Sequence, residues 1–140
     1  NQNIPGYLLS RVKEKLKDLH GKKVAILGLA FKKNIDDIRY SLSPKLQRYF
    51  LAEGCQVAIH DPYIDSQPLN ETLKGSDILI MGMNHDVFKE LDIKNMKALV
   101  SKDCLICDIW NLFGTGSIIF RISEILDQHI KEPSFKKNHL

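Results

Sequence analysis

Phe31, Lys32, Lys33, Asp36, Asp37 and Arg39 crowd together just after the apolar run Val24-Ala25-Ile26-Leu27, and Ser41 follows close behind. Lysines neutralise phosphate as point charges, an arginine grips it through two parallel N–H groups, and an aromatic ring stacks on a base or shields it from water. The set therefore suits an anionic ligand that also carries a ring. Trp110 offers a second ring further along the chain.

Each residue also has a plainer role open to it. Phe31 suits closing the core beneath the loop. Lys22, Lys23 and Lys33 suit solvated surface charges. Asp36 and Asp37 suit helix capping and pairing with Arg39 better than a two-carboxylate metal site. Trp110 serves equally as a packing residue or a ligand platform. His85 has no nucleophile in register, so a hydrogen-bonding place in a loop is favoured over a catalytic base. His60 reads as structural. Asp61 stands where an acidic residue at the end of a second strand binds ribose, but that use goes with a glycine-rich turn. G-x-G-x-x-G needs three glycines, and this loop offers only Gly28. The sheet is thus not expected to be the main site for NAD. Cys104 and Cys107 lie in a strand-like apolar run. They read as buried structural thiols rather than a zinc or redox pair.

The elements that must position these residues alternate. Strands are expected over 23–27, 56–60, 77–81 and 105–109, and helices over 1–20, 43–53, 70–74, 93–100 and 118–129. The first helix has Asn3 as a candidate cap, Pro5 in its first turn and Gly21 as its stop. Apolar runs without alternation mark strands covered on both faces. Strand–helix alternation calls for an α/β fold, a three-layer α/β/α sandwich with a mainly parallel Rossmann-like sheet and right-handed crossovers. In such a sheet the ends of the strands gather 28–39, Asp61, Met83-Asn84-His85 and 108–111 along one edge.

The bulk properties agree. At 140 residues the chain fits one domain, with 44% hydrophobic and 26% charged residues. No apolar run approaches the roughly 20 residues of a membrane span. No basic-then-apolar leader opens the chain, and three cysteines give no disulfide framework, which suits the cytoplasm. A net charge of +3, spread along the chain, argues against a nucleic-acid surface.

Gly28-Leu29-Ala30-Phe31-Lys32-Lys33-Asn34-Ile35-Asp36-Asp37-Ile38-Arg39-Tyr40-Ser41 resembles the G-[LF]-[AS]-F-K-x-x-T-x-D-x-R-x-S signature of the UDP-glucose/GDP-mannose dehydrogenase family. Glu53-Gly54-Cys55-Gln56-Val57-Ala58-Ile59-His60-Asp61-Pro62 is similar to its E-G-x-x-V-x-x-[YH]-D-P. The segment from Gly75 to His85, with Phe88 and Leu91-Asp92, looks like its third-strand region, and Asn1 to Pro5 like the end of its interdomain helix. The resemblance implies the C-terminal, nucleotide-sugar-binding domain of an enzyme that oxidises carbon 6 of a UDP- or GDP-sugar to a carboxylate with two NAD⁺. It implies an interdomain helix end over 1–20 and the binding domain over 21–130; residues 131–140, which have no clear period, read as a mobile tail. It also implies an N-terminal NAD-binding domain and a central domain with the catalytic cysteine in the same polypeptide, assembled as a homodimer or larger. By the same resemblance, Phe31 and Lys32 contact the nucleotide-sugar and Arg39 reaches toward the NAD phosphates; Trp110 joins the substrate-binding candidates on its ring and its strand-end place alone. Asp36, Asp37 and Ser41 hold the loop and cap the next helix. No cysteine here stands in the family's catalytic motif, so the chain alone is expected to be inactive.

The sequence departs from the family pattern in several places. Ile35 replaces the usual threonine and Tyr40 a common glutamate, and Ser43-Pro44 stands two residues beyond the usual S-P. Asp108-Ile109-Trp110-Asn111 lacks the arginine of the D-x-R in many UDP-glucose members, which points to a different sugar, such as an N-acetylated amino sugar. The alternative reading is a stand-alone nucleotide-binding or interaction module on a flavodoxin-like sheet. A phospho-receiver fails on residues, because it wants an aspartate where Met83-Asn84 stands and a lysine where Trp110 stands.

Overall fold

The computed structural model describes residues 4–30, 32–36 and 41–126. Three consecutive apolar segments form the middle of the sheet. These are β1 (Lys23–Leu27), β3 (Ile78–Met81) and β4 (Leu105–Cys107). β2 (Gln56–His60) lies outside β1, and β5 (Ile119–Arg121) outside β4, so the order is β2-β1-β3-β4-β5. The first four strands are parallel, with Val24 opposite both Val57 and Ile78. β5 runs antiparallel, with Ile106 opposite Phe120.

The period of two along each strand divides the core. Val24, Ile26, Ile78, Ile80 and Cys107 face α1 (Ile4–Leu16) and α2 (Leu42–Ala52), which add Leu8, Val12, Leu46 and Phe50. Ala25, Leu27, Leu79, Met81 and Ile106 face the other way. They meet Leu73 of α3 (Leu69–Leu73), Ile93 and Met96 of α4 (Ile93–Leu99), and Phe88. Each fully buried leucine or isoleucine contributes about 1.5–3 kcal/mol. The result is the expected three-layer α/β/α sandwich with a mainly parallel sheet.

The element ends differ from expectation in instructive ways. The first helix stops at Leu16, because Lys17 turns left-handed at φ 66° while its N–H still bonds Lys13 O. The expected cap Asn3 lies outside the described residues. The largest correction concerns the helix expected over 118–129. There the chain makes the fifth strand, followed by a 3₁₀ turn at Ile122–Glu124. Ile119, Ile122 and Ile125 mimic a helical stripe, but alternation wins: Ile119 buries into one core and Phe120 into the other. Gly114 and Gly116, both at positive φ, reverse the chain so that this run pairs with β4. A second 3₁₀ turn, Asp86–Glu90, was also not foreseen.

Candidate functional site

β1 has β2 on one side and β3 on the other, so the chain leaves its carboxyl end in opposite directions. Such a switch point opens a crevice beyond the strand ends. Here it is a depression of about 190 Å³. Ala30 lines it from the end of β1, Gly82 and Met83 from β3, and Ile109 and Trp110 from β4. Ser41, Leu42 and Lys45 at the start of α2, with Ile4 and Pro5 of α1, complete the wall.

Two glycines let the strand ends close up. A Cβ on Gly28, whose φ is 103°, would stand 2.8 Å from the backbone nitrogen of Met83. One on Gly82 would stand 2.7 Å from Gly28 O. The start of α2 is fastened to the same turn. The Ser41 hydroxyl donates to Leu29 O and accepts from Ser43 N–H, and the Ser43 hydroxyl donates to Gly28 O. Ser41 is thus the N-cap of α2.

Asp61 and His85 anchor the loop from below. The buried Asp61 carboxylate accepts from Leu29 N–H at 2.7 Å, Ala30 N–H at 3.0 Å, Tyr63 N–H at 2.8 Å and His85 Nε2 at 3.0 Å. Burial pushes its pKa up, but these bonds outweigh burial and hold the carboxyl below its ordinary value. Three of these donors converge on Oδ2 and the residue is buried, so Asp61 serves the loop and is not presented to a ribose. His85 Nδ1 accepts from Asn34 N–H at 2.7 Å, which gives the imidazole the loop role favoured from the sequence. Asp108 plays a like part after β4, where it accepts from Leu112 and Phe113 N–H, both at 2.9 Å. Burial of Asp108 raises its pKa against the pull of those bonds.

The other expected site residues are spread out. Lys32 and Asp36 are exposed on the loop. Lys33 pairs with Asp86 at 2.9 Å, and this contact with the Asn34 amide holds the Asp86 carboxyl at about 2. Trp110 donates from Nε1 to Met81 O at 3.0 Å and stays 37% exposed, so it is both a packed residue and a wall of the crevice. Phe31, Asp37 and Arg39 lie outside the described residues. Among the described residues no three His, Cys, Asp or Glu side chains cluster as metal ligands. Cys104 and Cys107 point into opposite cores.

Sequence reasoning placed Met83 at this edge but missed Lys45 and Gly82. Only the placement of Ser43-Pro44 at a helix start carried a signal, since it puts the next lysine one turn inside α2, beside the strand ends.

Comparison with known proteins gives a consistent picture. The profile described as "UDP-glucose/GDP-mannose dehydrogenase family, UDP binding domain" matches residues 25–115. A UDP-N-acetyl-D-mannosamine dehydrogenase of Methanocaldococcus jannaschii is 34% identical over 107 residues, covering 73% of this chain and 25% of that protein. A UDP-glucose 6-dehydrogenase of Gallus gallus is 30% identical over 112 residues, covering 62% and 23%. Among solved structures, a UDP-D-ManNAc dehydrogenase from Pyrococcus horikoshii superposes with a TM-score of 0.64 at 25% identity, over 71% of this chain and 25% of that one. An NDP-N-acetyl-D-galactosaminuronic acid dehydrogenase from Methanosarcina mazei gives 0.62 at 29% identity, over 70% and 23%. The chain therefore spans about a quarter of the length of the relatives it matches.

Proposed function

Because this chain belongs to the UDP-glucose/GDP-mannose dehydrogenase family, matching its UDP-binding domain, we propose that it holds the nucleotide end of an NDP-sugar for oxidation at carbon 6 by other parts of the same enzyme. The observation that carries this reading is the crevice at the switch point between β1 and β3. The matched segment builds it, and it opens at the start of α2 beside Lys45.

The start of α2 brings the partial positive charge of a helix N-terminus, although Ser41 caps the Ser43 N–H and Pro44 has none, and Lys45 adds a full charge. Lys32, exposed on the loop beyond Ala30, brings a second cation toward the diphosphate. Trp110 and Met83 give an apolar wall for a ring or a sugar face. A crevice of about 190 Å³ is smaller than the several hundred Å³ of a site that encloses such a ligand. The remainder of the ligand is covered from outside this chain. In this reading Phe31 joins Lys32 on the nucleotide-sugar, Arg39 reaches toward the NAD phosphates, and Asp36, Asp37 and Ser41 support the loop. The absent arginine after β4, and the acetamido-sugar relatives, favour an N-acetylated amino sugar on UDP as substrate.

The residues of this chain do not suit NAD as their own ligand. Gly28 is pressed against Met83 with no glycine-rich turn beyond it in the sequence, so among the described residues no backbone cradle for a pyrophosphate stands at the end of β1. NAD and the catalytic cysteine are assigned to further domains of a cytoplasmic enzyme, a homodimer or larger. On this reading the isolated chain is expected to give no NAD reduction with NDP-sugars.

Calorimetry with UDP, GDP and their sugars tests the proposal. Binding of UDP and UDP-sugars, lost in Lys32→Ala, supports it. Absence of any binding favours an interaction domain built on the same sheet.

A further inference from the structure

His85 is completely buried and makes two bonds that differ in kind. Its Nδ1 accepts the Asn34 N–H, so the ring proton sits on Nε2, and the ring is neutral and donates to Asp61. Asn34 stands at φ 63°, a left-handed conformation that asparagine adopts more readily than most residues. Its side chain closes the turn: Asp86 N–H donates to Asn34 Oδ1 at 2.9 Å, and Asn34 Nδ2 donates back to Asp86 Oδ2 at 3.0 Å. One imidazole–carboxylate pair thus fixes the loop at two places, with Asp61 holding Leu29 and Ala30 and His85 holding Asn34.

We infer that His85 is a positioning residue for nucleotide binding: the neutral imidazole latches the 32–36 turn, and with it Lys32, in the ligand-competent arrangement, and protonation of the ring releases that turn. This rests on the nucleotide reading of the crevice. The chemistry is a reversal of polarity. Once Nδ1 carries a proton, two donors face each other in a buried place, and the Asn34 N–H is left without an acceptor. The groups facing the ring are Asp61 from the end of β2, Tyr63 edge-on with ring centroids 4.9 Å apart, and Phe88 at 5.4 Å. Next in the chain is Asp86, with Lys33 at 2.9 Å and Lys89 at 3.6 Å.

Two substitutions separate the two bonds. In His85→Asn the side-chain oxygen stands where Nδ1 stood and still accepts from Asn34, yet it does not titrate. In His85→Gln the amide stands where Nε2 stood, so the link to Asp61 survives and the acceptor for Asn34 is gone. Amide hydrogen exchange at Asn34 is measured against the Ala25 and Ile80 amides of the sheet, alongside calorimetry with UDP. The Gln variant is expected to exchange Asn34 about tenfold faster relative to the sheet and to bind UDP about tenfold more weakly. The Asn variant is expected to stay within about twofold of the unaltered chain in both.

Acidification gives the same contrast without loss of a side chain. In the unaltered chain Asn34 loses protection, after correction for intrinsic exchange, before Ile80 does, and in the Asn variant it does not. Unchanged Asn34 exchange and UDP affinity in a folded Gln variant overturn the inference. If the Gln variant fails to fold, Ala25 and Ile80 report it, and the acid arm decides. If the unaltered chain does not bind UDP, the nucleotide reading falls, and the exchange contrast alone decides the latch.

Discussion

Gly28 and Met83 touch across the gap between the ends of β1 and β3, so that a Cβ on Gly28 would lie 2.7 Å from the Met83 Cβ. Neither partner has room to yield. Met83 is buried, and its backbone nitrogen is as close as its side chain. Gly28→Ala adds this overlap to the penalty for a side chain at positive φ, for a loss of about 3 kcal/mol. Gly6→Ala is the control, since its Cβ would meet only Tyr49 at 3.8 Å within a helix that favours alanine. Urea unfolding checks both. The first midpoint should fall sharply, and the second should hold or rise.

Asp61→Asn should cost about 2 kcal/mol, because an amide offers one acceptor oxygen to donors that now meet two. The pH dependence has a definite sign. The folded-state pKa of Asp61 lies below its unfolded value of about 3.9. Its bonds therefore contribute fully above that pH and are lost as the pH falls through the folded-state value. Unfolding free energies measured across the acid range should show the unaltered chain losing stability toward the variant, with the gap between them narrowing on acidification.

Trp110 is the sole tryptophan and forms a wall of the crevice, so its fluorescence reports on that place alone. UDP should change its emission with a saturable dependence on concentration, and Lys45→Ala should shift the midpoint upward several-fold. Trp110→Phe keeps a ring but loses the bond to Met81 O, at a cost of about 1 kcal/mol in thermal or urea unfolding. An emission change that survives Lys45→Ala unshifted would remove that lysine from the site.

The thiols of Cys104 and Cys107 should be inert in the folded chain. Burial pushes Cys104 up to about 12 and Cys107 higher still, so neither presents a thiolate near neutral pH. Opposite cores also forbid a disulfide between them. Reaction of these two thiols with a thiol reagent, located by peptide mapping, should run at the rate of unfolding.

How much of this was legible depends on the range of the interactions. The central strands could be read because a strand covered on both faces must be apolar throughout, and Val24-Ala25-Ile26-Leu27 and Ile78-Leu79-Ile80-Met81 are. Ser41 came as a cap from the family resemblance, together with Asp36 and Asp37, and the structure gives the N-cap of α2 to Ser41. The last strand could not be read, since a three-residue strand with isoleucines three apart also fits a helix, and only pairing with β4 decides. Asp61 was legible as a strand-end acid but not as the partner of His85, because that pair depends on β1 lying between β2 and the position after β3. Lys45 looks like any other helix-surface lysine until the crevice beside it is seen.

The antiparallel course of β5 fixes how this unit can be handled. Ile4 and Pro5 sit at the crevice, whereas β5 starts near that rim and carries the chain to the opposite one, where Ile122 N–H bonds Cys104 O. A purification tag or immobilising tether placed after Leu126 therefore starts from the face remote from the crevice. The same appendage placed before Ile4 starts at its mouth.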